Sequence, residues 1–223
     1  MEQRDVGLKA REHFEGLWRR GDPWDTRVSR FEQAKYDREF ELINGRRYRR
    51  VLEIGCGSGS FTRRLATIAD EVLAVDIAES ALALASKTVA DCGNVELRAE
   101  NVLEWDPSLE GPWDLITLLD TIYCFTGTYS FVDVACLAAQ LFTASAADGR
   151  LMIADPYGDR GLTGVDFRPW LIRTYRDLLR NVGYRAERDD FFRGVKNDVE
   201  ITILISLFHK SPDDAAERER LLW

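Results

Sequence analysis

The sequence predicts an α/β protein: a doubly wound, mostly parallel sheet with an antiparallel C-terminal strand pair and an N-terminal helical cap. Three observations carry this. From residue 49 onward, short apolar runs alternate with segments of helical periodicity, the pattern of strand–helix units that builds a parallel sheet covered on both faces. The first run, "RRVLEIG", opens into a turn holding three glycines at alternate positions. The residues before it carry helical patterning and no strand.

In the cap, "SRFEQAKYDREFELI" places Tyr36, Phe40 and Ile43 on one helical face, with Ser29 as N-cap. "RRVLEIG" is the first strand, a short buried run ending at glycine. "SFTRRLATIA" follows as a helix with Phe61, Leu65 and Ile68 on one face, and "EVLAVD" is the second strand. "ESALALASKTVADCG" turns Ala81, Leu82, Ala85 and Val89 inward and is expected to stop at Gly93. "VELRA" and "WDLITLLD" are the third and fourth strands, residues 129–146 a helix, and "GRLMIAD" the fifth strand. "FRPWLIRTYRDLLRNVG" is a helix with Leu171, Tyr175 and Leu178 inward, ended by Gly183. "YRAERDDFF" and "VEITILISLF", joined by the turn-forming "RGVKND", make an antiparallel pair at a sheet edge. No low-complexity linker or internal repeat divides the chain. The organisation expected is a helical cap over 1–48, a core over 49–210 and a charged tail over 211–223.

The 223 residues favour one domain, and 45% apolar with 30% charged residues is ordinary for a globular protein. A net charge of −8 repels phosphate backbones and disfavours a nucleic-acid partner. Arg46, Arg47, Arg49 and Arg50 read as a solvated basic loop before the first strand. Cys56, Cys92, Cys124 and Cys136 form no C-x-x-C pair, and His13 and His209 are the two histidines. No structural metal site or disulfide framework is therefore expected. Isolated cysteines suit a reducing cytoplasm, and no run approaches the roughly 18 apolar residues of a membrane span. A cytoplasmic protein without a membrane partner is expected; its oligomeric state stays open.

The glycine turn and two acids carry the functional reading. Glycine permits positive φ and close approach of a ligand to backbone. A first strand, a glycine-rich turn and a helix form the Rossmann-like geometry that holds an adenosine-containing ligand at the strands' carboxyl ends. Dinucleotide sites read G-x-G-x-x-G, whereas this chain reads G-C-G-S-G-S-F, so the third glycine comes one place early. Glu53, two residues before the turn, would repel pyrophosphate but suits a cationic ligand. Asp76 ends the second strand, 76 − 55 = 21 positions after the first glycine, near the spacing of a carboxylate that accepts ribose hydroxyls.

On these residues, "LEIGCGSG" followed by "VLAVDIAESAL", the chain resembles the class I S-adenosylmethionine-dependent methyltransferases over about residues 49 to 155. The resemblance implies that Gly55, Cys56, Gly57 and Gly59 leave backbone bare for the methionine and ribose portions of S-adenosylmethionine. It also implies that Glu53 helps orient the methionine end, often indirectly, that Asp76 holds the ribose and that Ile77 lies beside it. The acid expected after the third strand to meet the adenine amino group is replaced by Asn101, whose amide oxygen accepts the same bond. Val102 would touch the ring. "DPWDTRVSRFEQAKYDREFELI", with "LLDTIYCFTG", is similar to the nodulation-type (NodS-like) small-molecule N-methyltransferases. In those the N-terminal helices cover the cofactor, which implies that Trp24, Arg30 and Tyr36 approach it; ordinary packing of Trp24 and Phe31 is the alternative.

The acceptor is expected beyond the fourth strand, in "LLDTIYCFTGTYSF". Asp120 either contacts the cofactor's amino group or takes a proton from the acceptor, and Tyr123 either orients the acceptor or the methyl group. Cys124, Phe125, Tyr129 and Phe131 are further candidates, with helix capping or core packing as the plain alternatives. "ADPYGD" resembles the N/D-P-P-Y signature of nucleobase methylation, but it follows the fifth strand and has one proline, so Asp155 and Tyr157 are expected at most to line the acceptor pocket. His209 reads as structural, and His13 as a cap residue that could serve as a base. The activity expected is methyl transfer to an amine or hydroxyl of a small molecule, a sugar or secondary metabolite. The alternatives are a non-catalytic binding module and a nicotinamide-dependent oxidoreductase, which the glycine spacing and Glu53 disfavour.

Overall fold

A computed structural model describes residues 3–125, 128–157 and 169–211. The cap consists of α1 (Gln3–Trp18) and α2 (Arg30–Glu41). The units that follow are β1 (Tyr48–Ile54), α3 (Thr62–Ile68), β2 (Ala69–Asp76), α4 (Glu79–Thr88) and β3 (Val95–Ala99). A single 3₁₀ turn at Pro107–Leu109 precedes β4 (Trp113–Leu119), α5 (Ile122–Phe125) and α6 (Phe131–Ala144). The chain then forms β5 (Ser145–Pro156), α7 (Pro169–Asn181), β6 (Arg185–Lys196) and β7 (Val199–His209).

The strands described make one sheet in the order β3-β2-β1-β4-β5-β7-β6. The pairs among β1 to β5 are parallel, and β7 runs antiparallel to both β5 and β6. The doubly wound architecture with an antiparallel C-terminal pair is thus the observed one. Strand alternation sorts the core into two layers. Val51, Val72, Leu115 and Met152 meet Phe61 and Leu65 of the α3 side. Leu52, Leu73, Ile116 and Leu151 meet Leu137, Leu141, Tyr175 and Leu179 of α6 and α7.

Several boundaries differ from the sequence reading for local reasons. α4 stops at Thr88, its last turn closed by the Val89 N–H on the Ala85 carbonyl, and Gly93 lies beyond it. The hairpin turn is only Asn197–Asp198, both at positive φ (51° and 63°). This is the left-handed pair a two-residue hairpin needs, so "RGVK" continues β6. The buried stripe of α7 is Ile172, Tyr175 and Leu179, with Leu171 and Leu178 only partly covered. Gly183 ends that helix as expected, at φ 119° with its N–H on the Arg180 carbonyl. α6 is capped by Ser130, whose side chain forms a reciprocal capping box with Asp133. In the cap, Ser29 accepts the Glu32 N–H, but the buried residues of α2 are Phe31, Glu32, Lys35 and Glu39, with Tyr36 and Phe40 only half-buried. The tail from 212 onward lies outside the described residues. No described helix is long and apolar enough to cross a membrane.

Candidate active site

The carboxyl ends of β1, β2 and β4 open into one cavity roofed by the cap. Its floor is the glycine turn. Gly55 and Gly57 adopt φ of 79° and 53°, a region costly for any residue with a Cβ. A Cβ on Gly57 would stand 3.0 Å from the Trp18 indole, and one on Gly55 2.6 Å from the Thr121 hydroxyl. Residues Gly55 to Ser58 face the cavity, whereas Gly59 is used elsewhere: its position packs against Ala85 of α4, 3.1 Å from where a Cβ would be.

Asp76 and Ile77 line the cavity at the end of β2. The Asp76 carboxylate accepts the Gly57 and Ala78 N–H groups, each at 2.9 Å, and so ties strand end to glycine turn. Burial raises its pKa to about 6 despite those bonds. Asn101 and Val102 also line the cavity. The Asn101 amide donates to the Tyr129 hydroxyl at 3.0 Å, and its oxygen accepts the Leu103 N–H at 3.2 Å, leaving that oxygen one further lone pair.

Glu53 does not face the cavity. Period-2 alternation turns it, like Val51, toward the layer that holds α3. It is buried, one carboxylate oxygen lacks a partner, and burial lifts its pKa to about 8. Any part it takes in orienting a ligand is therefore indirect, through the glycine turn that follows it.

The cap closes over the floor through specific bonds. Thr26 donates to Asp22 at 2.6 Å and lies 2.6 Å from Ser58 Oγ and 3.2 Å from Ser60 Oγ. Glu15 of α1 accepts the Ser80 N–H at the start of α4. Trp18 and Trp24 meet edge to face at 5.3 Å and both line the cavity, as does Tyr36. Arg30 is exposed at the first turn of α2 and does not reach it.

The other half of the cavity is built around Asp120. This residue holds φ 52°, a strained turn that is a common mark of functional positions. Its side chain is 29% exposed and forms an ion pair with Lys35 of α2. Lys35 also pairs with Glu32 at 2.6 Å, and Glu32 in turn accepts from Lys196 at the end of β6 at 2.6 Å. Burial disfavours the Lys35 ammonium, yet Asp120 and the neighbouring acids hold its pKa well above the ordinary lysine value. Burial likewise pushes up the Asp120 carboxyl, with Lys35 opposing. Glu32 is held below the usual range, since Lys35 and Lys196 outweigh its burial. Behind them, Glu39 and Asp155 are fully buried, and burial drives both carboxyls well above the ordinary range. Asp155 accepts the Tyr123 N–H at 3.3 Å. Tyr123, Cys124, Phe125 and Tyr129 line the cavity. Burial raises the Tyr123 phenol well above its usual value and the Cys124 thiol to about 12, so neither is a ready anion.

Besides Glu53, Arg30 and the buried Asp155, four candidates from the sequence lie apart from the cavity. Phe131 is exposed at the start of α6, and Tyr157 stacks edge to face on Phe191 while its hydroxyl accepts from Arg173. His13 is exposed on α1 against Phe14, and His209 ends β7 opposite Arg150 and Arg185. The basic run is not a loop before the first strand, since β1 begins at Tyr48 and takes in Arg49 and Arg50, and it is engaged: Arg46 pairs with Asp148, Arg47 with Asp70 and Arg50 with Glu71. The sequence reading missed Glu32, Lys35 and Lys196, and also Thr26 and Thr121, all of which line the cavity.

The comparisons with known proteins agree with this geometry. A curated Nodulation protein S from Azorhizobium caulinodans is 29% identical over 103 residues, 46% of this chain and 48% of that protein. A second, from Sinorhizobium fredii, is 22% identical over 135 residues, 57% of this chain and 62% of that protein. The chain therefore matches about half to three-fifths of the length of these relatives. Among solved structures, the N-methyltransferase NodS from Bradyrhizobium japonicum WM9, in complex with S-adenosyl-L-homocysteine, superposes with a TM-score of 0.75 at 19% identity, over 90% of this chain and 98% of that one. This likeness establishes the fold. The family model of Nodulation protein S (NodS) matches residues 13–156, well over half of the chain, running from within α1 through the glycine turn to the end of β5, and the chain belongs to that family.

Proposed function

We propose that this chain transfers a methyl group from S-adenosylmethionine to an amine nitrogen of a small molecule. The observation that carries this is the meeting in one roofed cavity of two unlike halves: the glycine turn with Asp76 on one side, and Asp120 with its buried ion pairs and aromatic wall on the other. The residues fit the cofactor. Asp76 keeps acceptor capacity for ribose hydroxyls, Asn101 and Val102 offer an amide oxygen and an apolar wall for an adenine ring, and Gly55 and Gly57 bring bare backbone to the floor.

When bound, S-adenosylmethionine supplies a methyl group already activated on a sulfonium, so the protein's work is positioning, water exclusion and proton management. The cap provides the exclusion: Trp18 and Trp24 close the roof, and the Thr26–Ser58 contact holds it down. Asp120 is the carboxylate of the far half that is both cavity-lining and partly open, and it can accept the proton an ammonium must lose before it attacks. Tyr123 lines the wall beside it with its phenol kept neutral, a donor or acceptor that can fix the acceptor's orientation. The aromatic rings of Trp24, Phe31 and Tyr36 along the cavity suit an arriving cationic amine better than a neutral hydroxyl.

Calorimetry with S-adenosylhomocysteine, followed by a methyl-transfer assay over panels of amines, sugars and phenols, tests this reading. Binding together with turnover on amines supports it. Absence of heat with S-adenosylhomocysteine overturns it, and turnover confined to phenols or sugar hydroxyls overturns the choice of nitrogen.

A further inference from the structure

Helix α2 breaks the usual rule for a surface helix. Its buried face carries Glu32, Lys35 and Glu39 beside a single aromatic, Phe31. Lys35 is 2% exposed, and burying an ammonium is expensive unless it is paired. Its partners are Glu32, one turn away on the same helix, and Asp120, 85 residues on at the end of β4. Glu32 is already shared with Lys196, so the charge that Lys35 brings into the cavity is matched chiefly by Asp120.

We propose that Lys35 is a positioning residue: carried by the cap, it holds Asp120 as a carboxylate turned toward the acceptor half of the cavity, so that the seating of the cap and the basicity of Asp120 are one linked variable. This rests on the reading of the site as a methyltransferase centre, because it gives Asp120 the proton-accepting role.

The groups around Asp120 show why it needs this cation. From α2 it faces Glu32, Lys35, Tyr36 and Glu39; from α5, Tyr123 and Cys124; from β5, Asp155; and from β6, Lys196. Glu39 and Asp155 are buried with unpartnered carboxylate oxygens and hold their protons. Lys35 and Lys196 then stand against Glu32 and Asp120, two cations and two anions, and the cluster is neutral only while Asp120 is ionised. Remove the Lys35 ammonium and Asp120 keeps its burial and its acidic neighbours but loses the opposite charge in contact with it, so it binds a proton more tightly. A lifted cap takes Lys35, Glu32 and Glu39 away together and lets water reach Asp120, whereas a seated cap expels that water and supplies the Lys35 ammonium in its place, so that the carboxylate survives its own burial.

The test needs no knowledge of the acceptor. Protein labelled with ¹³C at the aspartate carboxyl carbons is titrated by NMR, and the Asp120 resonance is identified by its disappearance in Asp120→Asn. Lys35→Met is expected to raise the Asp120 midpoint by about one pH unit or more, the scale of losing an adjacent opposite charge, and Lys35→Arg to restore it. Lys35→Gln, which keeps a polar side chain and removes the charge, is expected to raise it likewise, and this second variant decides the matter if Lys35→Met does not fold. A folded Lys35→Met with an unchanged Asp120 midpoint overturns the proposal and leaves Lys35 as a tether of the cap. S-Adenosylhomocysteine binding is measured on the same samples. Wild-type protein that binds none refutes the methyltransferase reading itself, whatever the titration shows, so the two failures are distinguishable.

Discussion

Lys196, the last residue of β6, donates to Glu32 of α2 at 2.6 Å and to the Trp24 carbonyl at 2.9 Å. The C-terminal hairpin is thereby fastened to the N-terminal cap across the mouth of the cavity, a junction between segments 164 residues apart. Phe31 and Phe192 meet edge to face at 5.3 Å beside it. Removal of the ammonium in Lys196→Met takes away one charge-assisted bond and one bond to a carbonyl and leaves Glu32 to share Lys35 with Asp120. The expected cost is about 1.5–3 kcal/mol in urea unfolding. An unchanged midpoint and slope would show that the hairpin does not support the cap.

Asp76 gives a prediction whose sign is set by its environment. Burial raises its pKa to about 6, and a ribose hydroxyl binds best to the ionised carboxylate. Affinity for S-adenosylhomocysteine is therefore expected to hold above pH 6 and to fall as the pH drops through that value, while Asp76→Asn shows a flatter profile. Asp76→Ala also strips the acceptor from the Gly57 and Ala78 N–H groups and is expected to weaken binding by about 1–3 kcal/mol. Calorimetry across pH 5 to 8 reads all three proteins; an affinity indifferent to both substitutions removes Asp76 from the site.

What the chain discloses before folding depends on how local the cause is. The glycine turn, Asp76 and the Ser29 cap declare themselves because backbone geometry at a strand end or helix start is decided within a few residues. The Asn197–Asp198 turn was placed too broadly, since "RGVK" has turn composition yet is drawn into β6 by pairing with β7. Glu32, Lys35 and Glu39 were invisible for a different reason. Their spacing is helical, but charged residues at such spacing ordinarily mark a solvated face, and here the partners Asp120 and Lys196 come from distant strands. Glu53 shows the converse: its place in the motif was readable, whereas its direction is set by the pleat of β1 and the layer of α3 beneath it.

Thr26 supplies a measure of how firmly the roof is held. Its hydroxyl joins Asp22 to Ser58 and Ser60 of the glycine turn, an arrangement in which each oxygen has a partner within the cap–floor seam. Thr26→Val keeps the shape and leaves the two serines without that contact. The expected loss is about 1 kcal/mol of stability, together with a several-fold faster release of S-adenosylhomocysteine in stopped-flow measurements. Identical release rates would locate the roof's closure in the tryptophans alone.

Glu53 makes the stability of the fold fall as the pH rises. Its folded pKa of about 8 lies above the ordinary value of 4.5, so between those limits the folded protein holds a proton that the unfolded chain has released. Stability contributed by this group is complete below pH 4.5, declines by up to about 1.4 kcal/mol per pH unit through the window, and levels off above pH 8. Glu53→Gln retains an uncharged polar side chain of the same size and abolishes the titration. The difference in unfolding free energy between variant and wild type is accordingly expected to grow in the variant's favour from pH 5 to pH 8, read by urea denaturation at each pH. Were the two proteins to run parallel over that range, the burial of an uncharged Glu53 beneath the glycine turn would have to be abandoned, and with it the reason this acid can sit inside a strand at all.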